Sequence, residues 1–490
     1  MLNVKDIVLV HSERHDVSYV LRICAVAALG GVLFGYDTSV ISGAIDSIKE
    51  HFQLSPAQTG WAVSNVVVGC IIGAFLSGWM AHKLGRRLTL FICAILFTIS
   101  AVGAALATTF SWFIIYRIIG GLAVGVAGAV SPMYMSEVAP KDMRGRALSM
   151  EQFAVVGGQL IVFIVNYLIA SHSTGQWLSD LGWRWMIGSE VVPCVAFCLA
   201  IFFIPESPRW HMLSGQDDKA LKTLTRISNE KHAQSVMREI RESFHGTADE
   251  AVNLLAILRN TGARWIIFVG MMIAMLQQLT GVNVMMYYAP MVLRTTAGSM
   301  QSALFQTIWI GIASLLGCAI GAWFVDRNGR RPLMMWGSLG MIFGLLVVSW
   351  ALYTQTPGLL ALLGMIIFMV LYGMSWGPIT WVLISEIFPN RLRSVGMSLS
   401  TTMLWIINFA VSQFFPMVNE NVYLRSHFHG AFSMWLFAGF TAFAMWFVLK
   451  FVPETKGIAL EKVEAVMLGK SDPSSATTAA WVEVKVSERN

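Results

Sequence analysis

ICAVAALGGVLFGYDTSVISGAI, residues 23–45, carries a single charge, that of Asp37. Wound as a helix at 1.5 Å per residue, a run of this length crosses the roughly 30 Å hydrocarbon core of a bilayer. Hydrocarbon strongly disfavours a carboxylate, so an aspartate inside such a run needs an explanation.

The rest of the chain repeats the pattern. Of its 490 residues, 56% are hydrophobic and only 13% are charged. Mean hydropathy is +0.63. A soluble domain of this length needs more charge to cover its surface. Twelve apolar blocks stand at 21–43, 60–81, 88–109, 111–135, 147–170, 184–204, 263–292, 301–325, 332–353, 358–385, 396–419 and 429–452. The expected fold class is an all-α membrane protein with twelve transmembrane helices. The six cysteines (24, 70, 93, 194, 198 and 318) lie in or beside these blocks and form no CxxC pair. Neither a disulfide framework nor a metal site is indicated, and no cofactor is expected. The first seventeen residues are polar and mixed in charge, unlike a cleaved signal peptide.

Basic residues set the topology. Four short connections hold Lys83, Arg86 and Arg87; Lys141, Arg144 and Arg146; Arg327, Arg330 and Arg331; and Arg391 and Arg393. The alternate connections hold little more than Lys49, Arg294 and Arg425. The positive-inside rule places the first set in the cytoplasm, and an even helix count then puts both termini there. This topology accounts for the net charge of +6 without a nucleic-acid partner. A multi-pass protein of the cell (inner or cytoplasmic) membrane is expected, acting as a monomer.

The second half echoes the first. KLGRR (83–87) returns as DRNGRRP (326–332), SEVAPKDMRGRA (136–147) as SEIFPNRLRSVG (385–396), and PESPR (205–209) as PETKG (453–457). The offsets are 330 − 86 = 244, 386 − 137 = 249 and 453 − 205 = 248. A near-constant shift of half the chain signals duplication. Six helices plus six about an axis along the membrane normal is an arrangement of transporters that rock two halves around a central site. The expected division is a cytoplasmic N-terminal segment (1–20), a six-helix bundle (21–204), a charged cytoplasmic helical linker (205–262), a second six-helix bundle (263–452) and a cytoplasmic tail (453–490). The tail is polar and of low complexity from about residue 470 (KSDPSSATTAA) and reads as disordered.

Two more polar constellations stand out. If the first helix ends near Gly43, Asp37 lies about six residues beneath that boundary. Arg117 in the fourth helix and Glu190 in the sixth fall at the same depth, about 9 Å at 1.5 Å per residue. Three ionisable groups at one level suggest a cluster. A static ion pair that fixes helix packing is one reading. A proton site is the other, because Arg117 and burial pull a carboxyl in opposite directions.

The second constellation is amide-rich. Gln152, Gln159 and Asn166 are spaced by seven on the fifth helix. They face either a neighbouring helix or a cavity, with Gln159 the best candidate for a cavity. In QQLTGVNVMMYYAP (277–290), Asn283 and Tyr287 share a face, while Gln277 and Gln278 lie off it. Unwinding at Gly281 and Pro290 would turn all four toward one cavity. Amides donate and accept without charge, which suits a neutral polyol. The SWGPITW stretch (375–381) adds a break at Gly377–Pro378 between Trp376 and Trp381. Trp376 fits aromatic packing as well as binding. Phe34 and Trp405 are further candidates for covering the C–H face of a sugar.

The GRR motifs, the SEVAP and RGRA pair, PESPRW, QQLTGVNVMMYYAP, WGPITWVLISEIFP and PETKG together resemble the sugar porter family of the major facilitator superfamily, across essentially the whole chain. The resemblance implies the major facilitator fold and a proton-coupled importer of a monosaccharide, a pentose or hexose such as xylose, working by alternating access. A facilitative sugar or polyol uniporter is the alternative. It implies a sugar site of Phe34, Gln159, Gln277, Gln278, Asn283, Tyr287, Gly377, Trp381 and Trp405, with Trp381 stacking on the sugar. In proton-coupled members the GYD position is an aspartate, where uniporters commonly carry asparagine. That assigns proton coupling to Asp37, with Arg117 and Glu190. Ser314 and Leu404 depart from the pattern of xylose-transporting members, in which asparagine and glutamine are expected. Positive-inside anchoring explains the arginines at the cytoplasmic helix ends but not Glu137 and Glu386. A cytoplasmic gate of Arg86, Glu137, Arg144, Arg330, Glu386 and Arg393 is therefore expected. Sugar, proton and lipid bilayer are the implied partners. No metal-ligand cluster, nucleophile elbow or phosphate loop suggests an enzyme.

Overall fold

The computed structural model of the protein describes residues 16–172, 175–246, 261–356 and 358–455. Among them, twelve helices are long and apolar enough to cross a membrane. They are α1 (Val17–Phe52), α2 (Pro56–Leu84), α3 (Arg86–Leu106), α4 (Phe110–Val138), α5 (Arg144–Ser171), α6 (Leu178–Phe203), α7 (Thr261–Tyr287), α8 (Met300–Val325), α9 (Arg330–Tyr353), α10 (Leu360–Ile387), α11 (Val395–Asn419) and α12 (Ala431–Phe451). Each of the twelve apolar blocks is thus a helix, as a medium that hydrogen-bonds no backbone requires. The polar tail from residue 470 and the first fifteen residues lie outside the described residues.

Two elements, α1 and α10, differ from expectation. Helix α1 does not end near Gly43. It continues through AIDSIKEHF to Phe52, where Gln53 in the left-handed region closes it with N–H bonds to Glu50 and Lys49 carbonyls. Asp37 therefore lies deeper along its helix than a boundary at Gly43 implies. Helix α7 is broken as predicted: Gly281 takes φ +88°, and a Cβ there would stand 2.6 Å from the Phe437 ring. Only glycine suits that position. Helix α10 breaks at Ser375, not at Gly377–Pro378. Proline is tolerated in a first turn, where its missing N–H has no partner to lose; the interruption therefore precedes Trp376.

The duplicated motifs fold into duplicated structure. Gly85 (φ +88°) and Gly329 (φ +85°) join α2 to α3 and α8 to α9. At each, a Cβ would strike a carboxylate, that of Glu206 at 2.5 Å or Glu454 at 2.7 Å. Glu206 accepts from the backbone N–H of Arg86 (2.9 Å) and Arg87 (3.0 Å). Glu454 accepts from those of Arg330 and Arg331, both at 3.0 Å. The acidic residue of PESPR and PETKG thus caps the helix opened by each GRR.

Between α6 and α7, three short helices are described, Pro208–Leu213, Asp217–Ile227 and Glu230–Gly246. The middle one buries Ala220, Thr223, Leu224 and Ile227, a helical stripe. Its last carbonyl accepts from the Asp16 N–H (2.9 Å), tying it to the start of α1.

The two six-helix sets meet along α2 with α11 and α5 with α8. Trp61 packs on Phe409 with centroids 6.0 Å apart, and Tyr167 on Phe305 at 5.3 Å. At the end remote from the basic connections the sets are joined by polar bonds. Lys49 pairs with Glu420 (2.5 Å), Asp46 with Arg294 (3.2 Å), and Ser64 donates to Gln413 (2.7 Å). Partly exposed pairs are individually worth about 0–1 kcal/mol, which suits bonds that break in each cycle. Ser64→Cys should therefore react slowly with a membrane-impermeant thiol reagent from that side. Adding Glu420→Gln should speed the reaction several-fold; an unchanged rate would show that these bonds do not hold this end shut.

Candidate functional site

A cavity of about 310 Å³ lies between the two sets. That is the lower end of the range for small-ligand sites, about 300–1,000 Å³. All nine residues assigned to the sugar site line it: Phe34, Gln159, Gln277, Gln278, Asn283, Tyr287, Gly377, Trp381 and Trp405. So do Gln152, Ser314 and Leu404. Asn166 does not; it is buried and donates to the Val40 carbonyl (3.3 Å). Of the amide stripe on α5, two members therefore face the cavity and one packs against α1.

The amides are engaged with one another and with broken backbone. Gln277 donates to the Trp376 carbonyl (2.9 Å) at the α10 break. Asn283 donates to the Gln278 side chain, whose own amide reaches Gln277 (3.4 Å). Breaks in α7 and α10 are thus stitched together by the side chains that line the cavity. Bonds of this kind exchange readily for hydroxyl partners, since each net bond contributes only about 0.5–1.5 kcal/mol. Phe34 and Trp405 meet across the two sets at 6.3 Å and form an apolar wall. Trp381 is partly exposed on the cavity wall, whereas Trp376 is fully buried and donates to Ser338 (2.8 Å). Trp376 is a packing residue. Thr38, Tyr372 and Asn408 also line the cavity; none of them stood out in the sequence, being isolated polar residues in apolar helices.

Behind this wall lie the three predicted ionisable groups. Asp37 is 0% exposed and Arg117 and Glu190 each 1%. Arg117 Nη1 donates to Asp37 Oδ1 (2.7 Å) and to the Asp37 carbonyl (3.1 Å). Glu190 interacts with both. The network is incomplete: Asp37 Oδ2, both Glu190 oxygens, and Arg117 Nε and Nη2 have no hydrogen-bond partner among the described residues. A guanidinium that could bind one carboxylate with two parallel bonds uses one nitrogen only. Spare donors and acceptors in so dry a place are costly, and they leave room for a second arrangement.

At the basic end, Arg86 pairs with Glu137 (2.8 Å) across α3 and α4. Arg330 repeats this with Glu386 (2.9 Å) across α9 and α10. Ser207 and Thr455 donate to the second oxygens of those carboxylates, at 2.5 and 2.6 Å. Both ion pairs join helices of the same six-helix set. Arg144 is exposed, and Arg393 donates to the Phe388 carbonyl (3.4 Å). Of the expected gate residues, Arg86 is thus paired with Glu137 and Arg330 with Glu386. Glu206 and Glu454 were not foreseen here. The PESPR and PETKG echo was visible, but their partners are backbone N–H groups that no charge pattern reveals.

Residues 23–467 match the family model described as sugar (and other) transporter. The chain belongs to the sugar transporter family. It is a multi-pass membrane transporter, not an enzyme. It is 40% identical to the D-xylose-proton symporter of Escherichia coli K12, over 93% of this chain and 97% of that one. Identity to the arabinose-proton symporter of Bacillus subtilis is 34%, over 93% and 97%. To the glucose facilitated diffusion protein of Zymomonas mobilis it is 33%, over 92% and 98%. Among solved structures, the inward open conformation of the E. coli xylose transporter XylE superposes with a TM-score of 0.81 at 38% identity, covering 91% of this chain and 100% of that one. The same symporter bound to 6-bromo-6-deoxy-D-glucose gives 0.73 at 40%, covering 92% and 99%.

Proposed function

We propose that the protein imports a monosaccharide, a xylose-like pentose or a hexose, together with a proton by alternating access. One observation carries this: a buried, half-satisfied Asp37–Arg117–Glu190 cluster directly behind an amide-lined cavity. A neutral sugar binds to Gln159, Gln277, Gln278, Asn283 and Tyr287, with Phe34, Trp381 and Trp405 against its apolar faces and Gly377 giving close backbone approach. Protonation of Asp37 releases Arg117, whose spare nitrogens then turn to Glu190. The units that rock are 21–204 and 263–452, linked by 205–262 and flanked by the segments 1–20 and 453–490. The positive-inside pattern supports cytoplasmic placement of the basic end and of both termini in the cell membrane, with the monomer as the working unit.

On this reading the cavity faces the cytoplasm, and the Lys49–Glu420 and Asp46–Arg294 pairs close the outside. When the cavity turns outward, Glu137 and Glu386 gain Arg393 and Arg144 from the opposite half, and the cytoplasmic gate closes. Ser314 and Leu404 offer less hydrogen bonding than the asparagine and glutamine expected there, which supports a sugar with fewer or differently placed hydroxyls at that side.

The Zymomonas relative favours a second reading, a facilitative uniporter with the same cavity. Sugar-driven alkalinisation of a weakly buffered suspension separates the two. Addition of D-xylose, L-arabinose or D-glucose should raise external pH in step with uptake. Uptake without any pH change would leave the uniporter.

A further inference from the structure

Glu151 of α5 is a buried carboxyl that the cluster above does not use. It is 9% exposed, and neither oxygen has a hydrogen-bond partner among the described residues. It lies on α1 at Gly31, where a Cβ would stand 2.8 Å from Oε1. The absent side chain at Gly31 makes the room it occupies. Helices α1 and α5 are in backbone contact beside it: a Cβ at Gly35 would stand 1.9 Å from the Val155 carbonyl. Glu151 is therefore held against α1 and cannot swing freely.

No charged or titratable side chain of α1, α4 or α5 acts on it. Arg144 and Arg146 on its own helix are exposed at the basic end. On α4, Ser131 is engaged with the Ala27 carbonyl (2.7 Å). Asp37, Arg117 and Glu190 lie farther along, toward the opposite end. The level of Gly31 is six residues from Asp37 on α1, about 9 Å. The neighbouring residue Gln152 lines the cavity. A carboxylate without counter-charge or donor is costly to hold; a neutral acid is tolerated. Glu151 thus stands at a level between Asp37 and the basic end, one residue along α5 from the cavity-lining Gln152.

We propose that Glu151 is a second proton-carrying group of the transport cycle, relaying the proton from the Asp37 cluster to the side reached through the basic end. This rests on the proton-coupled reading. In each turnover Glu151 first loses its own proton to water at the basic end. Its carboxylate then takes up the proton released as the Asp37 O–H bond breaks, carried by water in the cavity. One O–H bond forms for each that breaks, and no electrons move.

The test uses the full chain in oriented proteoliposomes with a lumenal pH dye and labelled D-xylose, L-arabinose or D-glucose, whichever the wild type exchanges. In Glu151→Gln, sugar exchange at equal pH should persist, while sugar-driven proton movement falls about tenfold and no longer depends on pH at the basic side. Glu151→Asp should restore that dependence. A Glu151→Gln protein with the wild-type proton flux and pH profile overturns the relay, as does one that loses exchange and proton movement together, which marks a packing role. A wild type that exchanges sugar without moving protons defeats the proton-coupled reading itself, and is seen before any variant is made.

Discussion

Asp37→Asn will transport sugar but not accumulate it. One proton falling through about 100 mV gains about 2.3 kcal/mol, and one pH unit adds about 1.4 kcal/mol. Together these sustain roughly 500-fold accumulation of a neutral solute. Asparagine keeps the volume of Asp37 and still offers an oxygen to Arg117 Nη1, so the packing of α1 against α4 survives. It cannot bind and release a proton. The accumulation ratio under an imposed proton gradient should therefore fall to unity, while exchange of labelled sugar stays within about tenfold of the wild type. Accumulation that survives the substitution would reduce the Asp37–Arg117 bond to a structural ion pair.

The bilayer makes much of this chain legible. Because hydrocarbon leaves no backbone group unpaired, every apolar block had to be a helix. The same solvent makes polar residues conspicuous, which is why Asp37, Arg117 and Glu190 could be grouped before the 2.7 Å contact between Asp37 and Arg117 was seen. It also hides things. A helix that is apolar all round gives no periodicity to show which face meets a cavity, so Tyr372 and Asn408 went unnoticed. Glu151 was masked by its neighbour Gln152, whose place in the amide stripe drew attention one residue away. The end of α1 was misjudged because hydropathy falls at Gly43 while helix propensity does not: the residues to Phe52 leave the apolar block without leaving the helix. The gate was only half legible, since charge patterns reveal Arg86 with Glu137 but not carboxylates that cap backbone.

Arg117→Ala should have the largest effect on stability. Its guanidinium is 1% exposed and is the cation facing both Asp37 and Glu190. Removing one partner of a buried pair costs about 3–5 kcal/mol, because the other charge is left stranded. Here two carboxyls are stranded, and a cavity opens between α1 and α4. The melting temperature in detergent should drop by many degrees, and sugar uptake should lose its coupling to protons. Combining Arg117→Ala with Asp37→Asn should recover part of the loss, since a neutral amide in that pocket needs no counter-charge. Contacting residues of this kind couple by about 0.5–3 kcal/mol in double-mutant cycles. A static ion pair predicts the same recovery in stability, so the cycle alone does not decide the mechanism. The discriminating quantity is transport in the doubly substituted protein. If Arg117 serves only to neutralise Asp37, exchange returns with stability. If Arg117 must move to Glu190 as Asp37 gains a proton, stability returns while exchange stays lost, because Glu190 still lacks its cation. Full recovery of exchange in the double variant would rule out the switch.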